Sequence, residues 1–242
     1  MRILIVRHGD PDYSIDGLTE KGKLEAKLLS DRLVKEDMTE ILCSTLGRAK
    51  LTIKPTLDRL GREAEYCSWL REFDYAKVKL PYVDHEKCCW DLLPSFAENY
   101  PEIYLPDRWT EVPFIKESGV AKAYGDVCRE LDAAILRHGY RKDGAYYKVE
   151  RESHDTLVLV CHFGLLSVLL SHLLHVSPYS SWQHLVTAPT SVTTLYTEER
   201  ESGIAHFRCA SIGDISHLYI AGEEPAFAAR FCECFSDDTR HH

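Results

Sequence analysis

At 242 residues the chain is long enough for one to two domains of about 150 residues, and one domain carrying an insertion is the expectation. Its 45% hydrophobic and 28% charged residues are those of a soluble globular protein and exclude disorder and collagen-like order. A formal charge of −9 argues against a general nucleic-acid or anionic-membrane binder, so any anion site must be built locally.

No apolar run approaches the about 18 residues that cross a bilayer, and the N-terminus lacks a leader-like pattern, so a cytoplasmic location is expected. The nine cysteines are scattered and read as reduced, mostly buried thiols. Cys88-Cys89 and Cys232-x-Cys234 have no partner pair nearby, and no metal is expected.

In chain order, Ile3-Leu4-Ile5-Val6 is apolar on both faces and fits a strand in the middle of a mostly parallel sheet. It breaks at Arg7-His8-Gly9-Asp10-Pro11. Gly22, Ala26, Leu29 and Leu33 then recur at helical spacing, with Thr19 as N-cap. A second strand and helix follow in Ile41–Ser44 and Leu46–Leu60, closed by Gly61, and Glu65-Tyr66-Cys67 is a third short strand. Strands alternating with helices predict parallel βαβ units.

Between Ala76 and Gly119 the pattern dissolves, and these 44 residues hold five of the ten prolines. The stretch reads as an insertion. Its aromatics, Tyr82, Trp90, Phe96, Tyr100, Tyr104, Trp109 and Phe114, are too many for a disordered linker and predict packing over the core. Tyr124, Val127, Leu131 and Ile135 mark a further helix, with Gly139 as its C-cap. The strand Leu157–Cys161 breaks at His162-Phe163-Gly164 into a helix over Leu165–Leu174, and Ser191–Thr197 and Ile204–Ser211 are closing strands. The tail after Gly222 is uninformative, and the final His241-His242 reads as an appended remnant.

Two strands therefore end in a histidine near a glycine, Val6-Arg7-His8-Gly9 and Cys161-His162-Phe163-Gly164, where α/β folds bind ligands. Arg137-His138-Gly139 repeats the first motif at a helix end, where a cation and a glycine serve the helix terminus and no chemistry is expected. His172 and His175 approach the one-turn spacing of metal ligands, but no third ligand is evident and an exposed helix face explains them.

These elements together resemble the histidine phosphatase superfamily, the phosphoglycerate mutase-like proteins. The match rests on strand-Arg7-His8-Gly9, Leu18-Thr19-Glu20-Lys21-Gly22, Cys43-Ser44-Thr45-Leu46-Gly47-Arg48-Ala49, Leu70-Arg71-Glu72 and strand-Cys161-His162-Phe163-Gly164, in that order; Gly213-Asp214-Ile215-Ser216-His217 is similar to a late segment of the family. The resemblance implies a three-layer α/β/α sandwich around a mostly parallel sheet. It also implies His8 as nucleophile, Arg7, Arg48 and His162 as ligands of the phosphoryl oxygens, Glu72 as proton donor, and no cofactor.

Physical chemistry supports that allocation. A phosphoryl group in transfer spreads its charge over three oxygens, which guanidinium forks match bidentately. An imidazole attacks only when neutral, and adjacent guanidinium groups disfavour its protonation. Asp74, two residues beyond Glu72, is an alternative acid.

Departures from the family pattern narrow the reading. Pro11 and Ser14 stand where relatives often carry a hydroxyl residue and an asparagine, and no acidic residue directly follows His162. No extended basic and aromatic motif of the kind that holds a bisphosphate follows Glu72. The insertion has a net charge of −3 and, by family architecture, would cap the pocket, which fits a single phosphate on an apolar or sugar-like body. Hydrolysis of a small phosphomonoester through phosphohistidine is the expectation; a phosphomutase and a silent phosphate-sensing or protein-interaction module remain alternatives.

Overall fold

The computed structural model describes residues 1–228 and 230–237, so His241-His242 lies outside the described residues. The apolar strands Arg2–Arg7 and Thr156–Cys161 pair in parallel at the centre of an eight-stranded sheet. Glu40–Ser44 and Glu65–Cys67 continue it in parallel on one side. On the other side come Val192–Glu201, Ile204–Asp214, Tyr146–Val149 and Tyr140–Asp143, each antiparallel to its neighbour. Six of the eight strands thus run in one direction.

The period of two in the central strands divides their side chains between two layers. Leu4, Val6, Val158 and Val160 pack with Leu29 and Leu33 of the helix Glu20–Leu33 and with Ala49, Ile53 and Leu57 of the helix Gly47–Leu60. Ile3, Ile5, Leu157 and Leu159 pack on the other face with Val127, Leu131 and Ile135 of Val120–Arg137 and with the helix Phe163–Leu174. The result is the expected α/β/α sandwich, each fully buried aliphatic side chain stabilising it by about 1.5–3 kcal/mol.

Local chemistry sets the boundaries. Thr19 accepts a hydrogen bond from Gly22 N at 3.0 Å, as an N-cap should. Gly61, at φ 60, ends the second helix. The helix Val120–Arg137 is capped by His138 rather than by Gly139, which lies one residue further on at φ 96. The imidazole of His138 is buried between Glu40 (2.9 Å) and Asp155 (2.8 Å), so this second Arg-His-Gly ties a helix end to the sheet.

From Ala76 to Ser118 the chain makes short elements, including the hairpin of Lys77–Val78 with Lys87–Cys88 and the helices Pro94–Ala97 and Pro113–Lys116. Pro94, Pro101 and Pro113 each occupy a first helical position, where a missing N–H costs nothing. Trp109 and Phe114 are buried in the core of this face, and Tyr82, Trp90, Phe96, Tyr100 and Tyr104 pack against it. Among the described residues, no helix is long and apolar enough to cross a membrane.

Candidate active site

The parallel register that pairs Arg7 with Cys161 delivers the next residues, His8 and His162, side by side. Their ring centroids are 4.9 Å apart, and both side chains are buried. The backbone of His8 is clamped by its own N–H to Cys161 O (3.0 Å) and by Thr190 N to its carbonyl (3.1 Å). Gly9 and Gly22 let the loop press onto the first helix, because a Cβ at Gly22 would lie 2.3 Å from Asp10 O. That contact explains the glycine of Leu18-Thr19-Glu20-Lys21-Gly22.

The Nδ1–H of His8 donates to Gly9 O at 2.7 Å, which puts the lone pair on Nε2, a nitrogen with no hydrogen-bond partner among the described residues. Burial, then the neighbouring Arg7, with a smaller contribution from Arg48, hold the His8 pKa well below 6.5. His162 is likewise depressed, chiefly by burial and then by His8 and the arginines. Ser44 Oγ accepts from Leu46 N (3.2 Å) and so can donate to His162 Nε2 (2.8 Å), leaving Nδ1–H as a donor. That Nδ1 is buried without a hydrogen-bond partner among the described residues.

Arg7 and Arg48 are also buried, and the Nε of each has no hydrogen-bond partner among the described residues. Arg7 Nη1 donates to Thr187 O and, at 3.3 Å, to Ala228 O in the C-terminal tail. Asp16 aims Arg48: its Oδ1 accepts from Arg48 Nη1 at 2.7 Å, and its Oδ2 accepts from Gly47 N at 2.6 Å. The helix Phe163–Leu174 starts at His162, so its positive end faces the same cluster. Unpartnered donors and fixed positive charge collected around one imidazole make a receptor for a tetrahedral anion.

Glu72 completes the cluster. Its Oε1 accepts from Phe73 N (2.9 Å) and Leu165 N (3.1 Å), while Oε2 makes neither bond. Burial raises its pKa above 4.5, against the opposing pull of these N–H groups and of Arg7. Asp74, in contrast, is exposed and lines a separate cleft with Ser68, Trp69 and Arg71. The structure therefore gathers Arg7, His8, Arg48, Glu72 and His162 and leaves Asp74 outside.

Ser14 is exposed, and its Oγ donates to Asp12 Oδ1 at 2.6 Å. His172 Nε2 bonds Asp132 at 2.8 Å and His175 caps the helix end at φ 54. No cluster of three or more His, Cys, Asp or Glu suited to a metal occurs among the described residues.

Sequence reasoning missed Asp16, the hydroxyl role of Ser44, and Trp90 as a neighbour of Glu72. Ser44 lies inside the Cys43-Ser44-Thr45-Leu46-Gly47-Arg48-Ala49 motif, and Asp16, at φ 47, occupies a left-handed turn position that asparagine and aspartate tolerate. Trp90 carried no positional signal, because what places it is packing.

A family model described as histidine phosphatase superfamily (branch 1) matches residues 3–209. A probable phosphatase of Schizosaccharomyces pombe is 26% identical over 235 residues, 90% of this chain and 95% of that protein. Phosphoserine phosphatase 1 of Hydrogenobacter thermophilus is 25% identical over 217 residues, 84% and 90% of the two chains. Among solved structures, phosphoserine phosphatase of Entamoeba histolytica in complex with phosphoserine superposes with a TM-score of 0.58 at 16% identity, covering 90% of this chain and 98% of that one. With the order of motifs and the clustered histidines and arginines, these matches show that the chain belongs to the histidine phosphatase superfamily, branch 1, and is a phosphatase of that family.

Proposed function

We propose that the chain hydrolyses small phosphomonoesters through a phosphohistidine on His8, with no metal required. The observation that carries this reading is the buried, neutral His8, its Nδ1–H engaged by Gly9 O and its Nε2 free, beside unpartnered donors of Arg7, Arg48 and His162. His8 Nε2 forms a bond to phosphorus as the bond to the ester oxygen breaks, and Glu72 gives its proton to that departing oxygen. Arg7, Arg48 and His162 hold the three equatorial oxygens, whose charge builds in the transition state. A water then attacks phosphorus, Glu72 takes its proton, the P–N bond breaks, and orthophosphate and neutral His8 result.

Glu72 suits both duties because burial keeps its carboxyl protonated to higher pH than usual while two backbone N–H groups fix its orientation. In this reading the segment 76–119 caps the site, supported by its aromatics packing on the same core as Phe73 and Leu165, whose N–H groups hold Glu72, and by Trp90 lying beside Glu72. The S. pombe and H. thermophilus phosphatases, similar along most of the chain, support the reaction class.

A phosphate-release screen over monoesters, with and without chelator and repeated on His8→Ala, tests the reading. Release that withstands chelator and vanishes with His8→Ala is expected. Release that survives His8→Ala, or that needs an added divalent ion, overturns the mechanism, and movement of phosphate between substrate positions without release would mark a mutase.

A further inference from the structure

The turn Cys88-Cys89-Trp90 is pinned from the helix Pro178–His184: Tyr179 Oη donates to Cys89 O at 2.8 Å, and Gln183 Nε2 donates to Trp90 O. Trp182 of the same helix lies beside the indole, ring centroids 6.1 Å apart, and donates its own Nε1–H to Gly164 O at 2.9 Å. A Cβ at Gly164 would fall 2.5 Å from Trp90 Cζ3, 2.6 Å from Cη2 and 2.8 Å from Glu72 Oε1. The benzo edge of Trp90 and the carboxyl of Glu72 therefore share one small volume at the start of the helix Phe163–Leu174, and glycine is the residue that leaves room for both.

Trp90 is only partly buried, packed against the core beside Glu72 rather than enclosed within it. With the phosphoryl group held by Arg7, Arg48 and His162 and the departing oxygen at Glu72, the carbon skeleton attached to that oxygen begins next to the indole. The charges flanking Trp90 cancel, since Lys87 and Asp91 pair with each other at 3.3 Å. Such a wall offers dispersion and ring–ring contact rather than a second anion site.

We infer that Trp90 is the surface on which the departing half of the substrate lies, and that the site selects monoesters carrying a flat apolar ring within two or three bonds of the ester oxygen. This inference rests on the phosphatase reading above and names the substrate class of that same site. Ring stacking of this kind gives about a three- to tenfold preference over a puckered ring of equal size.

The test compares kcat/KM for benzyl phosphate and cyclohexylmethyl phosphate, which share carbon count and an unactivated alcohol leaving group. The full chain is expected to prefer the benzyl ester about three- to tenfold, Trp90→Phe to keep most of that ratio, and Trp90→Leu to bring it near one. No preference in the unmodified chain, or a ratio unchanged by Trp90→Leu, overturns the inference.

Tryptophan fluorescence of the His8→Ala chain supplies a readout independent of turnover. Benzyl phosphate should quench it, and the quench should be lost in His8→Ala with Trp90→Phe. A quench that persists there, or none in His8→Ala, likewise overturns the inference. A chain that releases phosphate from no ester refutes the hydrolase reading instead, and the fluorescence titration then decides the wall by itself.

Discussion

The substitution Gly164→Ala probes how tightly the catalytic corner is packed. The new methyl carbon would stand 2.5 and 2.6 Å from two carbons of Trp90 and 2.8 Å from Glu72 Oε1. Carbon atoms normally approach to about 3.5–4.0 Å, so the overlap with the indole is about 1 Å. Neither neighbour can yield easily: Trp90 is backed by Trp182 and tethered by Gln183, and Glu72 is held by the N–H groups of Phe73 and Leu165.

Overpacking of this kind costs about 1–3 kcal/mol. Alanine regains about 1 kcal/mol over glycine within a helix, which leaves a net loss of up to about 2 kcal/mol. For a chain of this length that corresponds to a fall of up to about 8 °C in Tm. Displacing Glu72 by a fraction of the overlap should lower kcat for an alkyl phosphate by about 10²-fold, because general-acid geometry is sensitive at the 1 Å scale. Calorimetry and phosphate release on the purified variant measure both. A Tm that rises, with kcat unchanged, would refute the packing argument and show that the corner has room to spare.

Glu72→Gln keeps an oxygen that can accept from Phe73 N and Leu165 N but carries no transferable acid proton. It should slow hydrolysis of alkyl phosphates by about 10²–10⁴-fold and that of nitrophenyl phosphate much less, since nitrophenolate leaves without a proton; equal losses would remove Glu72 from the role. Asp16→Ala frees Arg48 from the carboxylate at 2.7 Å and should raise KM and the inhibition constant of orthophosphate about tenfold, checked by steady-state kinetics, whereas an unchanged KM would show that Arg48 is held without it. The pH dependence has a defined sign. Glu72, its pKa raised by burial, gains its proton as pH falls from neutral, while His8, depressed by burial and by Arg7 and Arg48, stays neutral below 6.5. Thus kcat/KM for an alkyl phosphate should climb toward mildly acidic pH, a rise that Glu72→Gln abolishes; a rate that increases above pH 7 would contradict both assignments.

Much of this architecture is legible in the residues because local rules and tertiary demands agree. The N-cap Thr19, the C-terminal Gly61 and the doubly apolar strands Arg2–Arg7 and Thr156–Cys161 each encode their element directly. The hairpin of Tyr140–Asp143 with Tyr146–Val149 went unread, although Asp143-Gly144 is a hairpin signal and Gly144 adopts φ 62. Its strands are short and mostly polar at the sheet edge, so no long apolar period announces them.

For the site, Arg7, His8, Arg48, Glu72 and His162 follow from motifs at strand ends and helix starts, positions that topology alone brings together. Choosing Glu72 over Asp74 needed the fold, because a difference of two residues across a turn decides which carboxyl meets Leu165 N and which meets solvent. Asp16 and Trp90 act through a turn and through packing between distant segments, and neither leaves a periodic trace in the chain. Arg137-His138-Gly139 shows the converse: the same three letters, bonded to Glu40 and Asp155, do structural duty.

The central claim is that phosphorus passes through His8. Rapid-quench mixing with a phosphorus-32-labelled monoester, followed by peptide mass spectrometry under conditions that preserve phosphoramidates, tests it directly. Transient label on His8, formed and lost at rates that match turnover and absent from His8→Ala, is the predicted result. Undiminished turnover with no phosphoenzyme, or with label on another residue, would contradict it.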